Sequence, residues 1–385
     1  MNLFFKGAVA LFVCAGLFCS CASTKSQPVQ QIQSAEELQE LFSLTIQTGG
    51  RTASDLYALG KKYEAGDGVV QWYSMARAYY EAAAEKGSEE SRTALSRLSD
   101  FKAEVLSKSP NGQGEVFTFY RKGVSAGQAG DFEKAWAICY DTAFFFDDSK
   151  GLESLADFLR DGSGVEQDVQ KAMAVYTYTA TVLKAGNGWA SLGKIYEAEN
   201  GTYPGITQSI DTALDYFMRS FTDDSLRSKA FKGPRYVADY LDSGYTHDDG
   251  SRAAPDYAQA EKYYLLAADG NGRTFDGTSC YKLGTYYEEG REGVAQDFSK
   301  AAQYYAKAVS DPNTHATMLG IPQSYYSLGR FYENGLGVEK NLAQAKAWYE
   351  KALSAANETL GYEFAAGRAE AAVTKKQAEE ALGRL

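Results

Sequence analysis

Histidine is almost missing from this chain: His247 and His315 are the two it has in 385 residues. That scarcity removes the commonest general base and metal ligand from most places where a hydrolase or metalloenzyme would need one. A basic block is missing too. Lys and Arg number 39 against 50 Asp and Glu, for a net charge of −11, so nothing offers a polyphosphate-binding footprint and nucleic acid is not an expected partner. Prolines number 7 beside 37 glycines, and 44% of the residues are hydrophobic, a composition too apolar to stay disordered. No apolar run is long enough to span a bilayer in the mature chain; the run from Gly7 to Cys19 is too short. Of the 5 cysteines, Cys14 and Cys19 fall in that leader, while Cys139 and Cys280 stand far apart and read as buried thiols, not a disulfide.

What is present begins with a signal peptide over residues 1–20, one Lys6 followed by the apolar run. Its end, Phe18-Cys19-Ser20-Cys21, resembles a bacterial lipobox, which implies lipidation of Cys21 after cleavage. Cleavage after Ala22 or Ser23 in an ordinary secretory signal is the competing reading. Residues 21–34, polar and Gln-rich, then read as a tether. Ser34 with Glu37 forms a capping-box signature ahead of Leu38, Leu41, Phe42 and Ile46, which predicts a helix over 35–47 covering the first repeat, within a capping segment 35–52.

The rest of the chain is organised by a repeat. Seven alanines, Ala76, Ala135, Ala172, Ala213, Ala260, Ala301 and Ala345, are each followed three and four residues later by a pair of mostly large side chains: Tyr79-Tyr80, Ile138-Cys139, Val175-Tyr176, Tyr216-Phe217, Tyr263-Tyr264, Tyr304-Tyr305 and Trp348-Tyr349. Small and large residues then share one helical face. Four residues before six of these alanines stand Asp131, Asp168, Ser209, Asp256, Asp297 and Asn341, all N-cap types; before the first stands Trp72, which cannot cap. An earlier helix in most repeats carries an apolar residue, a small one, and an apolar residue three later, as in Leu59-Gly60 with Tyr63, Leu283-Gly284 with Tyr287 and Leu328-Gly329 with Tyr332. Glycine inside a helix costs about 1 kcal/mol against Ala, so its recurrence predicts close approach of the paired helix, where the repeat's Ala would face it. Gly-rich turns such as Gly335-Leu336-Gly337-Val338 join the two.

The segment YSLGRFYENGLGVEKNLAQAKAWYEKA, residues 326–352, closely resembles the Sel-one-like repeat, a relative of the tetratricopeptide repeat, and residues 280–308 resemble it nearly as well. The resemblance implies an all-α, right-handed α/α solenoid of about seven hairpins over residues 53–355, with an N-terminal capping helix and a polar C-terminal capping helix over 356–385. Residues 190–221 and 235–270 are degenerate, with enlarged turns at 198–209 and 243–256.

Chemistry is sparse. The Gly-x-Gly turns lack the Gly-Lys-Ser/Thr of a phosphate loop, His247-Asp248-Asp249 reads as a solvated loop, and Asp269 to Arg273 departs from a calcium loop. No catalytic residue, metal ligand or cofactor is nominated. The family resemblance implies that the first helix of each pair lines a concave binding face. Tyr57, Tyr281 and Tyr326 lie three residues before the Gly, and Glu64, Glu197, Asp242, Glu288 and Glu333 four after the Gly or its Ala equivalent, with Arg160 in the sixth such place. They predict an acidic, tyrosine-bearing groove for a basic or extended protein segment, one in which Glu288 and Glu333 could be reversed in charge without loss of stability. The expectation is a non-enzymatic scaffold or adaptor, lipid-anchored at the outer membrane or cell surface, of open oligomeric state. An envelope hydrolase or peptidoglycan-related enzyme subunit, and a surface-exposed host-interaction factor, are the alternatives.

Overall fold

The computed structural model describes residues 32–109, 114–226, 229–230, 232–270, 275–310, 319–361 and 367–385. The leader, Cys21, the tether before Ile32, His315 and most of the stretch from Asp269 to Arg273 lie outside the described residues. Helices come in antiparallel pairs: α2 (Ala53–Ala65) with α3 (Tyr73–Glu85), α5 (Glu115–Gln128) with α6 (Phe132–Tyr140), and α7 (Ser149–Asp161) with α8 (Val169–Thr181). Then follow α9 (Gly186–Glu197) with α10 (Ile210–Thr222), α11 (Gly233–Ser243) with α12 (Tyr257–Asp269), α13 (Gly277–Glu289) with α14 (Phe298–Ala308), and α15 (Ile321–Asn334) with α16 (Leu342–Gly361). Each second helix packs next on the first helix of the following pair, except that α4 (Glu89–Ser107) comes between α3 and α5. The fold is an α/α solenoid of seven hairpins, in which contacts run between neighbours.

All six predicted N-caps form. Asp168, Asp256 and Asp297 each accept from the backbone N–H three residues on at 2.9 Å; Ser209 and Asn341 do so at 3.1 and 3.0 Å and Asp131 at 3.4 Å. The seventh helix, α3, is capped from elsewhere. A π-helical turn, Asp141–Phe145, ends α6, and the fully buried Asp141 carboxylate accepts from Tyr73 N at 2.7 Å and Ser74 N at 2.8 Å. The positive end of α3 thus takes its anion from a residue 68 positions away. Burial nevertheless outweighs these bonds and pushes the Asp141 carboxyl up to about 7. Beside it Tyr73, Phe101, Phe119, Phe145 and Phe146 interlock, with neighbouring centroids 4.9–6.5 Å apart, which fastens α4 and the first hairpin to the second.

The two ends differ from their predicted form. The N-terminal helix, α1 (Ala35–Leu41), is shorter than the 35–47 expected and does not sit over the first repeat alone. Past it Leu44 and Ile46 alternate with polar residues, a period of two that suits extended chain. Leu38 and Phe42 are buried with Cys139, Tyr140 and Ala143, the Tyr140 hydroxyl donates to the Phe42 carbonyl at 2.7 Å, Lys171 Nζ lies 4.6 Å from the Phe42 ring, and Ile46 reaches Leu56 and Tyr79. Residues 32–48 are therefore a strap across the second helices α3, α6 and α8. At the other end α16 continues to Gly361, and a separate α17 (Arg368–Arg384) packs on α15 and α16.

Asp141 predicts a pH effect. Its folded pKa lies above its ordinary value of 3.8, so the folded state holds more protons between those limits and its contribution to stability falls as pH rises from about 4 to about 7. Glu153, also pushed up to about 7, acts in the same direction. Urea unfolding across this range should show a shallower loss of stability for Asp141→Asn than for the wild type; identical slopes would contradict the assignment.

Candidate functional site

The first-helix face is built from a notch. An ideal Cβ placed on Gly60, Gly193, Gly284 or Gly329 would lie 2.5 Å from the ring of Tyr80, Phe217, Tyr305 or Tyr349 respectively. All four rings are fully buried. The expectation that the repeat's Ala faces the Gly is corrected here. The second aromatic, one turn beyond that Ala, has the side chain long enough to reach across the hairpin, and its ring fills the space a Cβ would take.

Around the ring the predicted site residues converge. Tyr57, Tyr281 and Tyr326 pack on Tyr80, Tyr305 and Tyr349 with centroids 5.6, 6.2 and 5.5 Å apart. The ring hydroxyls donate to the carboxylates four residues after the Gly: Tyr80 to Glu64 at 2.6 Å, Tyr305 to Glu288 at 2.8 Å, and Tyr349 to Glu333 at 2.5 Å. Burial first, and the adjacent carboxylate second, push these hydroxyls well above the ordinary tyrosine range, so they remain donors. Each carboxylate also meets a cation from the helix stacked next: Arg97 of α4 at 2.6 Å from Glu64, Arg330 of α15 on Glu288, and Arg384 of α17 at 3.8 Å from Glu333.

Glu197 and Asp242 turn toward the next first helix. Glu197 accepts from Tyr240 at 2.9 Å and pairs with Lys194 at 2.5 Å. Asp242 accepts from Tyr286 at 2.6 Å and pairs with Lys282 at 2.8 Å; burial pushes its carboxyl up, but these two bonds and Arg291 outweigh it and hold it below the ordinary range. Where Ala replaces Gly the carboxylate moves: Tyr176 donates to Asp157 and Tyr264 to Asp239, the residues directly after Ala156 and Ala238. Arg160 occupies the usual acidic place in the first of these and pairs with Asp157 at 2.9 Å.

The predicted row of free acids is thus a row of joints. Glu64, Asp242, Glu288 and Glu333 retain only 13–22% of their side-chain exposure and Glu197 29%, and each carries its own cation. Apart from Lys194, which lies on the same helix as Glu197, those cations come from different registers of a neighbouring helix, which is why sequence reasoning missed them.

The enlarged turn at 243–256 is solvent-exposed, as expected, and it is also ordered. Its strands β1 (Tyr245–Thr246) and β2 (Arg252–Ala253) pair antiparallel and carry the tip onto the start of α10. There His247 Nδ1 meets Asp211 Oδ1 at 2.6 Å, and Asp248 accepts from Ile210 N at 2.8 Å and Ser209 Oγ at 2.5 Å. Ser209 is committed to capping α10, so this grouping is a staple. Two open hollows, of about 260 and 450 Å³, lie elsewhere, the smaller beside Leu266 and Tyr304 and the larger between α1 and α3.

The comparisons agree with the repeat. Residues 53–88, 149–174, 238–272, 277–312 and 322–357 match the Sel1 repeat; five of the seven hairpins therefore carry Sel1 repeats recognisable in sequence. A chitin synthase regulator from Malassezia restricta is 27% identical over 111 residues, 29% of this chain and 7% of the regulator. Cytochrome c oxidase assembly factor 7 from Xenopus tropicalis is 25% identical over 202 residues, 52% of this chain and 77% of the factor. Among solved structures, a Sel1 repeat protein from Oxalobacter formigenes aligns with a TM-score of 0.44 at 21% identity, covering 68% of this chain and 96% of that one.

Two substitutions follow from the joint. Gly284→Ala forces the Tyr305 ring aside and should destabilise by about 1–3 kcal/mol. Glu288→Lys, contrary to the expectation from sequence, should lower the unfolding midpoint and speed amide exchange in α13 to α16, whereas Glu339→Lys, at an exposed position, should do neither. Equal midpoints for the two lysine variants would contradict the joint.

Proposed function

We propose that this chain is a non-enzymatic scaffold of the bacterial envelope that binds a protein partner on its first-helix face and is held to the membrane by lipid on Cys21. The observation that carries the reading is the stack itself: seven hairpins locked by repeated internal bonds, presenting a rigid, extended track instead of a pocket with convergent reactive groups. Two of the relatives, a chitin synthase regulator and a cytochrome c oxidase assembly factor, are named for roles of the same kind.

The strap supports the choice of face. Residues 32–48 already cover second helices of the first three hairpins, and the chain enters the described structure there, at buried Ile32. Ten residues lie between Cys21 and Ile32, a reach of at most about 40 Å when fully extended. A lipid on Cys21 would therefore keep the strapped flank near the membrane and leave the first-helix face for a partner.

A photo-crosslinking residue at Lys61, Lys194 or Thr285 on first helices should capture a protein in intact cells, while the same residue at Glu81 or Glu350 on second helices should not. Capture confined to the second-helix positions would reverse the assignment. Cys21→Ala should abolish incorporation of an alkyne-labelled fatty acid; persistent labelling would remove Cys21 as the attachment site.

A further inference from the structure

Helix α17 repeats the sequence of a first helix. Its Leu382-Gly383-Arg384 matches Leu328-Gly329-Arg330 of α15, and Arg384 reaches Glu333 as Arg330 reaches Glu288. Of the cations drawn from a stacked helix, these two hold the same place after a glycine. α17 therefore stands where an eighth first helix would, packed on α15 and α16 through the buried Ala371, Thr374, Ala378 and Ala381. The notch is what differs. A Cβ on Gly60, Gly193, Gly284 or Gly329 would strike a ring at 2.5 Å, whereas one on Gly383 would meet nothing within 4 Å.

The outward side of α17 carries more than an empty notch. Val373, Lys376, Glu380 and Gly383 are exposed and recur at intervals of three and four, so they share one helical face. Val373 is 58% exposed, more than any other large apolar side chain among the described residues, and a β-branched residue gains nothing from a helix surface that faces water. Lys376 and Glu380 have no ion-pair partner within 4 Å among the described residues, although the adjacent Lys375 and Glu379 pair at 4.0 Å. Lys ahead of Glu is the weaker order for a pair inside one helix. The spacing also reads the same from both ends, three residues from Val373 to Lys376 and three from Glu380 to Gly383.

We propose that this face of α17 binds α17 of a second copy of the chain, the two helices antiparallel about a two-fold axis. In the register that sets Lys376 against Glu380 of the other copy, Val373 comes opposite the other copy's Gly383, and the symmetry makes both contacts twice. The apolar side chain then enters a notch of the kind that rings fill at Gly284 and Gly329, and the two ion pairs use the charges that α17 leaves unpaired. A parallel pair would set Lys376 against Lys376 and Glu380 against Glu380, so charge selects the antiparallel one. Self-complementarity identifies the occupant, because knob, notch, cation and anion all lie on one helix. α17 has 17 residues, a length of about 25 Å. One helix from each copy makes an interface below the standard size, so the dimer is reversible. Joined at this end, two scaffolds bring two first-helix faces into one assembly, whatever those faces bind.

Sedimentation of the full chain should show monomer at about 1 μM and a dimer that grows in by about 200 μM. Lys376→Glu and Glu380→Lys each set like charges in both pairs and should weaken the dimer at least about tenfold. The double variant restores opposite charges and should recover it. Gly383→Leu, which fills the notch, should weaken the dimer too, whereas Glu339→Lys, at an exposed position in the last hairpin's turn, should leave it unchanged; thermal unfolding of each variant checks that the fold persists. A chain that stays monomeric to about 1 mM would leave this face to a helix of another protein and overturn the inference. Single reversals without effect, or a double variant no tighter than the singles, would overturn it as well, since a dimer formed elsewhere on the molecule behaves in that way. Crosslinking from Lys61, Lys194 or Thr285 reports a partner on the first-helix face independently, so the scaffold reading stands or falls separately.

Discussion

The structure depends on one contact: a buried aromatic ring of the second helix, seated where the first helix has no Cβ. Everything in a hairpin is placed by it. The close approach requires glycine at Gly60, Gly193, Gly284 and Gly329, and in three of these the ring is a tyrosine whose hydroxyl needs an acceptor in a dry place. Glutamate four residues after the glycine lies one turn along the same face and supplies it. The carboxylate then needs a cation, and the helix stacked next provides one. A packing requirement inside one hairpin becomes a polar bond between hairpins.

The exceptions follow the same physics. Ala156 and Ala238 fill the notch with a methyl group, and the tyrosine hydroxyls meet Asp157 and Asp239, a shorter side chain at the next position. Phe217 has no hydroxyl, which frees Glu197 to accept from Tyr240 of the following hairpin. Trp72 cannot cap α3, and Asp141 does so from the second hairpin. Each local departure from the pattern is answered by a longer-range contact, so the degenerate repeats remain stacked.

This explains what could be read in the sequence. The seven alanines, the N-caps and the recurring glycines are local, periodic signals, and they place the hairpins and their order correctly. The acidic residues were located with the same ease, but their role was not, because their partners Arg97, Lys282, Arg330 and Arg384 obey no common register. The strap was misread for a related reason: Phe42 and Ile46 belong to a helical pattern when read locally, yet they serve partners around Tyr140 and Tyr79 that only the folded array brings near. His247, one of the chain's two histidines, is engaged in a staple to Asp211.

The direct measure of the central contact is a double-mutant cycle on Tyr349 and Glu333, using Tyr349→Phe, Glu333→Gln and the pair, with unfolding free energies from urea denaturation. Residues sharing one bond should be non-additive by about 0.5–3 kcal/mol, the double variant losing less than the two single losses combined. Additive losses would show that the hydroxyl and the carboxylate act independently, and would contradict the account of the joint.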